Sequence, residues 1–216
     1  MTDYDDLLNA PQQKRSQALT LQILSAAERV MQRQGAEVTI REVAAEAGVS
    51  LGGIYARFAD REELLTAVYE RLLQRLEQRV IRVITSPEVG SMHEVLELFV
   101  DAAATTSRED GQALSVLRTG ANAAHGLERI ARTEDLLAQL LGEAALRFPG
   151  EVKHADPEVA IRIAIQIVLG ALTRSIAHGG ESKSENWDFF CGEIVAAVYG
   201  YLSSTHVARN RKASAK

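Results

Sequence analysis

The stretch from Thr39 to Leu65, TIREVAAEAGVSLGGIYARFADREELL, constrains this chain more than any other part of it, because helix starts and stops crowd into it. Thr39 followed at the fourth position by Glu42 is a capping box, in which each side chain satisfies an orphan backbone N–H of the helix end. Ile40, Val43, Ala44 and Ala47 then form one apolar stripe of about two turns. Gly48 follows as the residue that takes the left-handed conformation and stops a helix. Val49 is placed to plug the core beneath the turn, and Ser50 caps a second helix whose expected buried side is Leu51, Ile54 and Phe58. Asp60 with Glu63 opens a third helix in the same way. A helix, a tight turn containing glycine and a second short helix make the helix-turn-helix, whose second helix lies in the DNA major groove.

The same residues, in order, resemble a known family. Thr39-Ile40-Arg41, Val43-Ala44, Ala47 to Ser50, Gly52, Ile54-Tyr55, Phe58 and Glu63-Leu64-Leu65 are similar to the DNA-binding domain of TetR-type bacterial transcriptional regulators. Ile23-Leu24 and Ala26-Ala27 before Gly35 agree, so the resemblance covers residues 15 to 70. In two places the chain departs from the pattern. Gly53 stands where the family usually carries Thr or Ala, and Arg61 where it often carries Lys. The resemblance implies an all-α fold, with an N-terminal three-helix helix-turn-helix domain and a C-terminal helical ligand-binding and dimerisation domain. It further implies a homodimer on operator double-stranded DNA, released by a small-molecule effector of unknown identity.

Composition fits that expectation. Apolar residues at 46% and charged residues at 25% are ordinary globular values. The most apolar run, Ile163 to Thr173, is too short to cross a bilayer, so no membrane partner is expected. Asp3, Asp5 and Asp6 at the start do not read as a secretory signal, and the single Cys191 suits a reducing cytoplasm. The formal net charge of −5 is unusual for a DNA binder, but its distribution matters more than its sum. Residues 14 to 61 carry Lys14, Arg15, Arg29, Arg33, Arg41, Arg57 and Arg61 against Glu28, Glu37, Glu42, Glu46 and Asp60. A positive face suffices for a specific complex, whereas a nonspecific nucleic-acid coat would need a basic chain.

Helical periodicity runs almost end to end. Residues 1–15 read as a flexible leader, 16–65 as the helix-turn-helix domain, 66–206 as the regulatory and dimerisation domain, and 207–216 as a disordered tail. A first helix is expected over 16 to 34. The helix opening at Asp60 continues through Leu64, Val68, Leu72, Leu76, Val80 and Ile84 until Ser86-Pro87 ends it. Its ~36 Å, at 1.5 Å per residue, would tie two parts of a molecule together. Further helices are expected over 91–107, 110–123, 126–147, 156–178 and 184–205. The fourth of these is punctuated by Asp156, Pro157 and Glu158 at its start and His178-Gly179-Gly180 at its end.

The expected DNA-binding set is Thr39, Arg41, Ser50, Leu51, Gly52, Gly53, Tyr55, Arg57 and Arg61. Arg41 is a candidate base or phosphate contact; the alternative is a solvated arginine at a helix start. Tyr55 and Arg57 are candidate phosphate contacts, which fix register without reading sequence; the alternative for Tyr55 is a core aromatic. Thr39, Ser50 and Arg61 are placed at helix starts, where free N–H groups favour anions. Gly52 and Gly53 inside one short helix cost roughly 0.8–1 kcal/mol each against alanine. Either close approach to DNA or a tight crossing with the first helix must offset that.

Arg118, Asn122 and His125, polar at helical spacing, are candidate ligand-pocket residues; ordinary surface positions are the alternative. Over 156–178, Ile161, Ile165, Val168, Leu169, Leu172 and Ile176 form one apolar stripe, and Ile163, Ile167 and Gly170 another. A helix apolar nearly all round needs a partner, so Ile163, Ile167 and Gly170 are the expected dimer interface. No catalytic constellation, metal site or cofactor is expected: the five histidines form no metal-ligand pair, and His93 with Glu97 reads as a surface pair. Cys191 reads as a packed thiol. The chain therefore reads as a one-component, ligand-responsive transcription regulator, a repressor rather than an enzyme. The alternative is a helical small-molecule binding protein or enzyme whose N-terminal helices are only structural.

Overall fold

The computed structural model describes residues 4–119, 123–177 and 186–205, which form eight α-helices and no strand. These are α1 (Tyr4–Gln34), α2 (Ile40–Ala47), α3 (Leu51–Tyr55), α4 (Arg61–Ile84), α5 (Met92–Thr119), α6 (Ala123–Arg147), α7 (Pro157–Ala177) and α8 (Trp187–Ser203). A 3-10 turn over Gly35–Glu37 follows α1. The expected tail from 207 onwards and the His178-Gly179-Gly180 stop lie outside the described residues.

Two helices differ from the sequence expectation. The first begins at Tyr4, not near residue 16, and carries Pro11 within it. Between Gln12 and Gln34 no glycine or proline interrupts it, whereas Pro11 removes one backbone hydrogen bond from its first turns. The helices expected over 91–107 and 110–123 are one continuous α5. The polar run Ser107 to Gly111 suggested a break, yet Thr106 and Asp110 are buried. Arg79 on α4 donates to Thr106 Oγ1 at 2.9 Å and to Glu109 Oε2 at 2.8 Å, so the polar run is a seam facing α4.

The chain divides into two compact units: Met1–Leu73 with Asp110–Arg129, and Gln74–Glu109 with Ile130–Lys216. In the first, Ile23, Ala27 and Met31 of α1 pack with Val43 of α2, Ile54 of α3 and Leu64, Val68 and Leu72 of α4. Ala113 of α5 joins this core. Two polar ties accompany it. Arg71 on α4 reaches the Leu21 carbonyl, Ser25 Oγ and, at 3.6 Å, the buried Glu28 on α1. Arg129 of α6, only 6% exposed, pairs with Glu70 of α4 at 2.6 Å.

The second unit is built around Phe99, Leu96 and Met92 of α5, Leu137 and Leu141 of α6, Ile165, Val168 and Leu172 of α7 and Val198 of α8. Its helix ends are satisfied by side chains. Ser91 Oγ accepts the Glu94 N–H at 3.1 Å, and Glu94 Oε2 accepts the Gly90 N–H at 2.9 Å. The Arg147 guanidinium donates to the carbonyls of Ile84, Ser86 and Val89, closing the end of α4. Asp156 Oδ1 accepts the Val159 N–H at the start of α7, as its position before Pro157 foretold. Among the described residues no helix is long and apolar enough to cross a membrane.

Arg129 is buried but Glu70 is about one-third exposed, so losing the arginine removes a charge-assisted hydrogen bond and leaves a carboxylate that water still reaches. Arg129→Met should therefore destabilise the chain by about 1.5–3 kcal/mol. Urea unfolding checks this, and a change below about 1 kcal/mol would show that the Glu70 pair is not a structural tie.

Candidate nucleic-acid interface

The turn between α2 and α3 is held by bonds that close on one another. Thr39 Oγ1 accepts the Glu42 N–H at 3.3 Å, while Glu42 Oε2 accepts from the Thr39 N–H at 3.0 Å and from its hydroxyl at 2.7 Å. The Thr39 hydroxyl, followed by the Gln34 side chain, holds the Glu42 carboxyl below its ordinary range. Gly48 ends α2 at φ 65°, and the Val49 N–H reaches back to the Ala44 carbonyl at 3.0 Å. Ser50 Oγ then accepts the Gly53 N–H at 3.1 Å and starts α3. Asp60 Oδ1 accepts the Glu63 N–H at 2.8 Å and starts α4.

Side chains of α1 brace this unit from behind. Arg29 and Arg33 each bind one carboxylate oxygen of Glu46, at 2.7 and 2.6 Å, and Gln22 donates to the Ala47 carbonyl at 2.7 Å. The Arg29 hydrogen bond, then that of Arg33, holds the Glu46 carboxyl below its ordinary range. These ties orient α2 on α1 and leave its opposite side free.

On that side Thr39, Arg41, Leu51, Tyr55 and Arg61 line one surface groove of about 560 Å³, together with Glu37, Val38 and Ile40. Arg41 is exposed and has no hydrogen-bond or ion-pair partner among the described residues. Tyr55 is 54% exposed, which excludes a purely core aromatic. Arg61 is partly committed within the chain: its Nε donates to the Val38 carbonyl at 2.8 Å and its Nη1 pairs with Glu62 at 2.6 Å. Glu37, counted in the sequence only among the acidic residues, adds a negative charge to this lining; the 3-10 turn over Gly35–Glu37 brings it there, and no periodicity announces such a turn.

Leu51 corrects the expected buried side of α3. Ile54 and Phe58 are buried, but Leu51 is 41% exposed. As the first residue after the Ser50 cap it projects beyond the core and meets the groove instead. Gly52 and Gly53 are also decided by geometry. A Cβ on Gly52 would approach only Ser50 Oγ, at 3.9 Å, and one on Gly53 would lie 3.4 Å from the same atom. No atom of α1 lies within 4 Å of a Cβ at either position, so a tight crossing with α1 does not demand either glycine. Arg57 turns inward: its Nη1 donates to the Gly53 carbonyl at 3.0 Å.

The remaining expected site residues lie elsewhere. Ile163, Ile167 and Gly170 are exposed on α7, the two isoleucines by 38% and 42%. Asn122 and the side chains of Arg118 and His125 lie outside the described residues. Cys191 is half-buried against the second core, and burial followed by the nearby charges of Asp188 and Asp101 raises its thiol to about 11. It is a protonated packing group at neutral pH. His93 and Glu97 are an exposed pair 3.6 Å apart. Among the described residues no group of His, Cys, Asp and Glu is gathered as metal ligands would be.

Residues 23–68 match the family described as bacterial regulatory proteins, tetR family. Residues 91–202, more than half the chain, match the tetracyclin repressor-like C-terminal domain. The chain belongs to the TetR family. It is a transcription regulator, and regulators of this family bind operator DNA and small-molecule ligands, act as dimers and are not enzymes. It is similar to the HTH-type nicotine-responsive transcriptional repressor HdnoR of Paenarthrobacter nicotinovorans, at 37% identity over 81 residues. That alignment covers 36% of this chain and only 42% of the relative's length. The fold is similar to FadR of Bacillus subtilis in complex with stearoyl-CoA, with a TM-score of 0.67 and 18% identity over 86% of this chain and 99% of that one. A TetR transcription regulator from Haloarcula marismortui ATCC 43049 gives 0.68 and 20% identity over 88% and 98%.

Because Gly52 has room for a side chain, Gly52→Ala should stabilise the free TetR-family chain by up to about 1 kcal/mol. The same methyl stands on the exposed face of α3, so operator binding should weaken where that face meets DNA. A thermal melt and a binding isotherm check both; undiminished operator affinity would show that DNA does not approach this face.

Proposed function

We propose that the chain is a ligand-responsive repressor that binds a pseudo-palindromic operator as a homodimer. The observation that carries this reading is the groove in which Thr39, Arg41, Leu51, Tyr55 and Arg61 converge beside the bare face of Gly52 and Gly53. Arg41, exposed and unpaired, reads base edges or the adjacent phosphate. Tyr55 offers a hydroxyl to phosphate. The amide ends near Thr39 and Ser50 set the register of α3 in the major groove. HdnoR, named a repressor, supports the direction of control.

The N-terminal unit serves as the DNA-binding domain and the second unit as the regulatory and dimerisation domain. In the latter, α7 and α8 pack on each other and each leaves an apolar strip exposed. On α7 this strip is Val159, Ile163, Ile167 and Gly170; on α8 it is Phe189, Gly192, Ala196 and Gly200. Spacing by three or four residues puts each set on one helix face, and two copies related by a two-fold axis would bury both strips as a four-helix interface. Two reading heads then match two half-sites one helical turn apart.

The effector is a small apolar or amphipathic molecule taken up among residues 90–180, with Arg118, Asn122 and His125 as its candidate polar contacts. Helix α4 supplies residues 61–73 to one unit and 74–84 to the other, and like α5 and α6 it is continuous between them; α4, which follows α3 directly, is the lever we assign. Ligand and operator must then weaken each other's binding by the same factor. A reducing cytoplasm is the compartment this assigns.

Two outcomes test the proposal. Operators selected from random DNA should show a strong half-site preference that Arg41→Ala relaxes, since one Arg–base contact is worth ~1–3 kcal/mol of discrimination. Identical half-site profiles for both proteins would remove Arg41 from the readout. Separately, Ile167→Glu should convert dimers to monomers in sedimentation; an unmodified chain that sediments as a compact monomer at micromolar concentration would refute the interface.

A further inference from the structure

Helix α3, which reads DNA in the function proposed above, has five residues, two of them glycine. Its backbone bonds are few: the Gly53 and Ile54 N–H groups reach the Ser50 carbonyl at 3.0 and 3.3 Å, and the Ala56 N–H reaches that of Gly52 at 3.0 Å. Side chains add to them at Gly53. Its N–H is shared with Ser50 Oγ at 3.1 Å, and its carbonyl accepts from Arg57 Nη1 at 3.0 Å. In a continuing helix that carbonyl would be taken by the Arg57 backbone N–H. Here the Arg57 N–H turns to the Ile54 carbonyl at 2.8 Å, and the Arg57 side chain replaces it at Gly53. The guanidinium is drawn in far enough that its Nε–H is buried with no hydrogen-bond partner. A solvated arginine waiting for a phosphate would keep every N–H in water, so this orphan donor marks a side chain held in place.

We propose that Arg57 is a positioning residue of the reading helix and not a phosphate contact. It clamps the Gly53 carbonyl so that α3 presents the bare face of Gly52 and Gly53 at a fixed depth. Its inward geometry contrasts with Arg41, which is exposed and unpaired on the groove. The proposal rests on the DNA-binding reading of α3 and assigns a role within it.

The full chain, Arg57→Met and Arg57→Gln are compared on a selected operator and on a random duplex of equal length, across a salt titration, with thermal melts recorded alongside. Methionine fills the space without a donor; glutamine keeps an amide that reaches toward the Gly53 carbonyl. Positioning predicts that Arg57→Met loses operator affinity by about tenfold, the scale of one misaligned base contact. Its random-DNA affinity and salt slope stay unchanged, and Arg57→Gln recovers part of the loss. A phosphate contact predicts instead that both variants weaken on both duplexes, with the slope reduced by about 0.9; that result overturns the proposal. Equal losses on both duplexes that track a lowered melting temperature also overturn it, since they show only a folding role. If Arg57→Met does not fold, Arg57→Gln decides alone: an unchanged slope supports positioning and a reduced one refutes it. An unmodified chain with no preference for any selected operator would overturn the DNA-binding reading itself, and Arg57 would then have nothing to position.

Discussion

The left-handed residue at Gly48 is the hinge on which the interface depends. It stops α2 after two turns and sends the chain directly into the Ser50 cap, so α3 leaves at an angle that buries Ile54 and Phe58. A residue with a Cβ would pay a steric penalty of roughly 1–2 kcal/mol at that backbone conformation. The capping box at Thr39 and the carboxylate of Glu42 fix the other end of α2, and Glu46 ties it to α1 through Arg29 and Arg33. With α2 held at both ends and from behind, its exposed side and that of α3 can share one groove. The polar contacts are each modest; their value lies in leaving no free choice of orientation.

Continuity of helices is the second constraint. The N-terminal unit includes residues 110–129, so parts of α5 and α6 pack with it, and α4 is likewise divided between the units. The ties inside that unit are ionic, each with one buried partner: Arg129 with Glu70, and Glu28 with Arg71. Such half-buried pairs are modest sources of net stability, but each holds one buried partner in a single place. They suit helices whose placement must be definite. For a regulator, definite placement is what lets a bound ligand be felt as a shift between two states.

An acidic chain can still carry a DNA-binding face because its charges are spent differently on the two sides of the reading unit. Behind α2, Arg29 and Arg33 are both tied to the single carboxylate of Glu46; at the start of α4, Arg61 is shared with Glu62 and the Val38 carbonyl. Arg41 keeps its charge for the groove. Local sign and orientation, not the sum of −5, set the potential that DNA meets.

The sequence by itself determined whatever is decided within a few residues. The caps at Thr39, Ser50 and Asp60, the stop at Gly48 and the long apolar stripe of α4 were legible because capping and periodicity act over one or two turns. The same locality exposed Ile163 and Ile167 as a second stripe on α7. Tertiary structure decided what depends on distant partners. Whether the polar run around Asp110 breaks a helix or faces a neighbour rests on Arg79, far off in the chain. Leu51 was read both as core and as part of the DNA-binding set, and is exposed on the groove, because periodicity gives a face but not where the core ends. That Arg57 folds onto Gly53 while Arg41 stays free could not be read from either arginine, since rotamer choice follows from which carbonyl the surrounding backbone leaves without a donor.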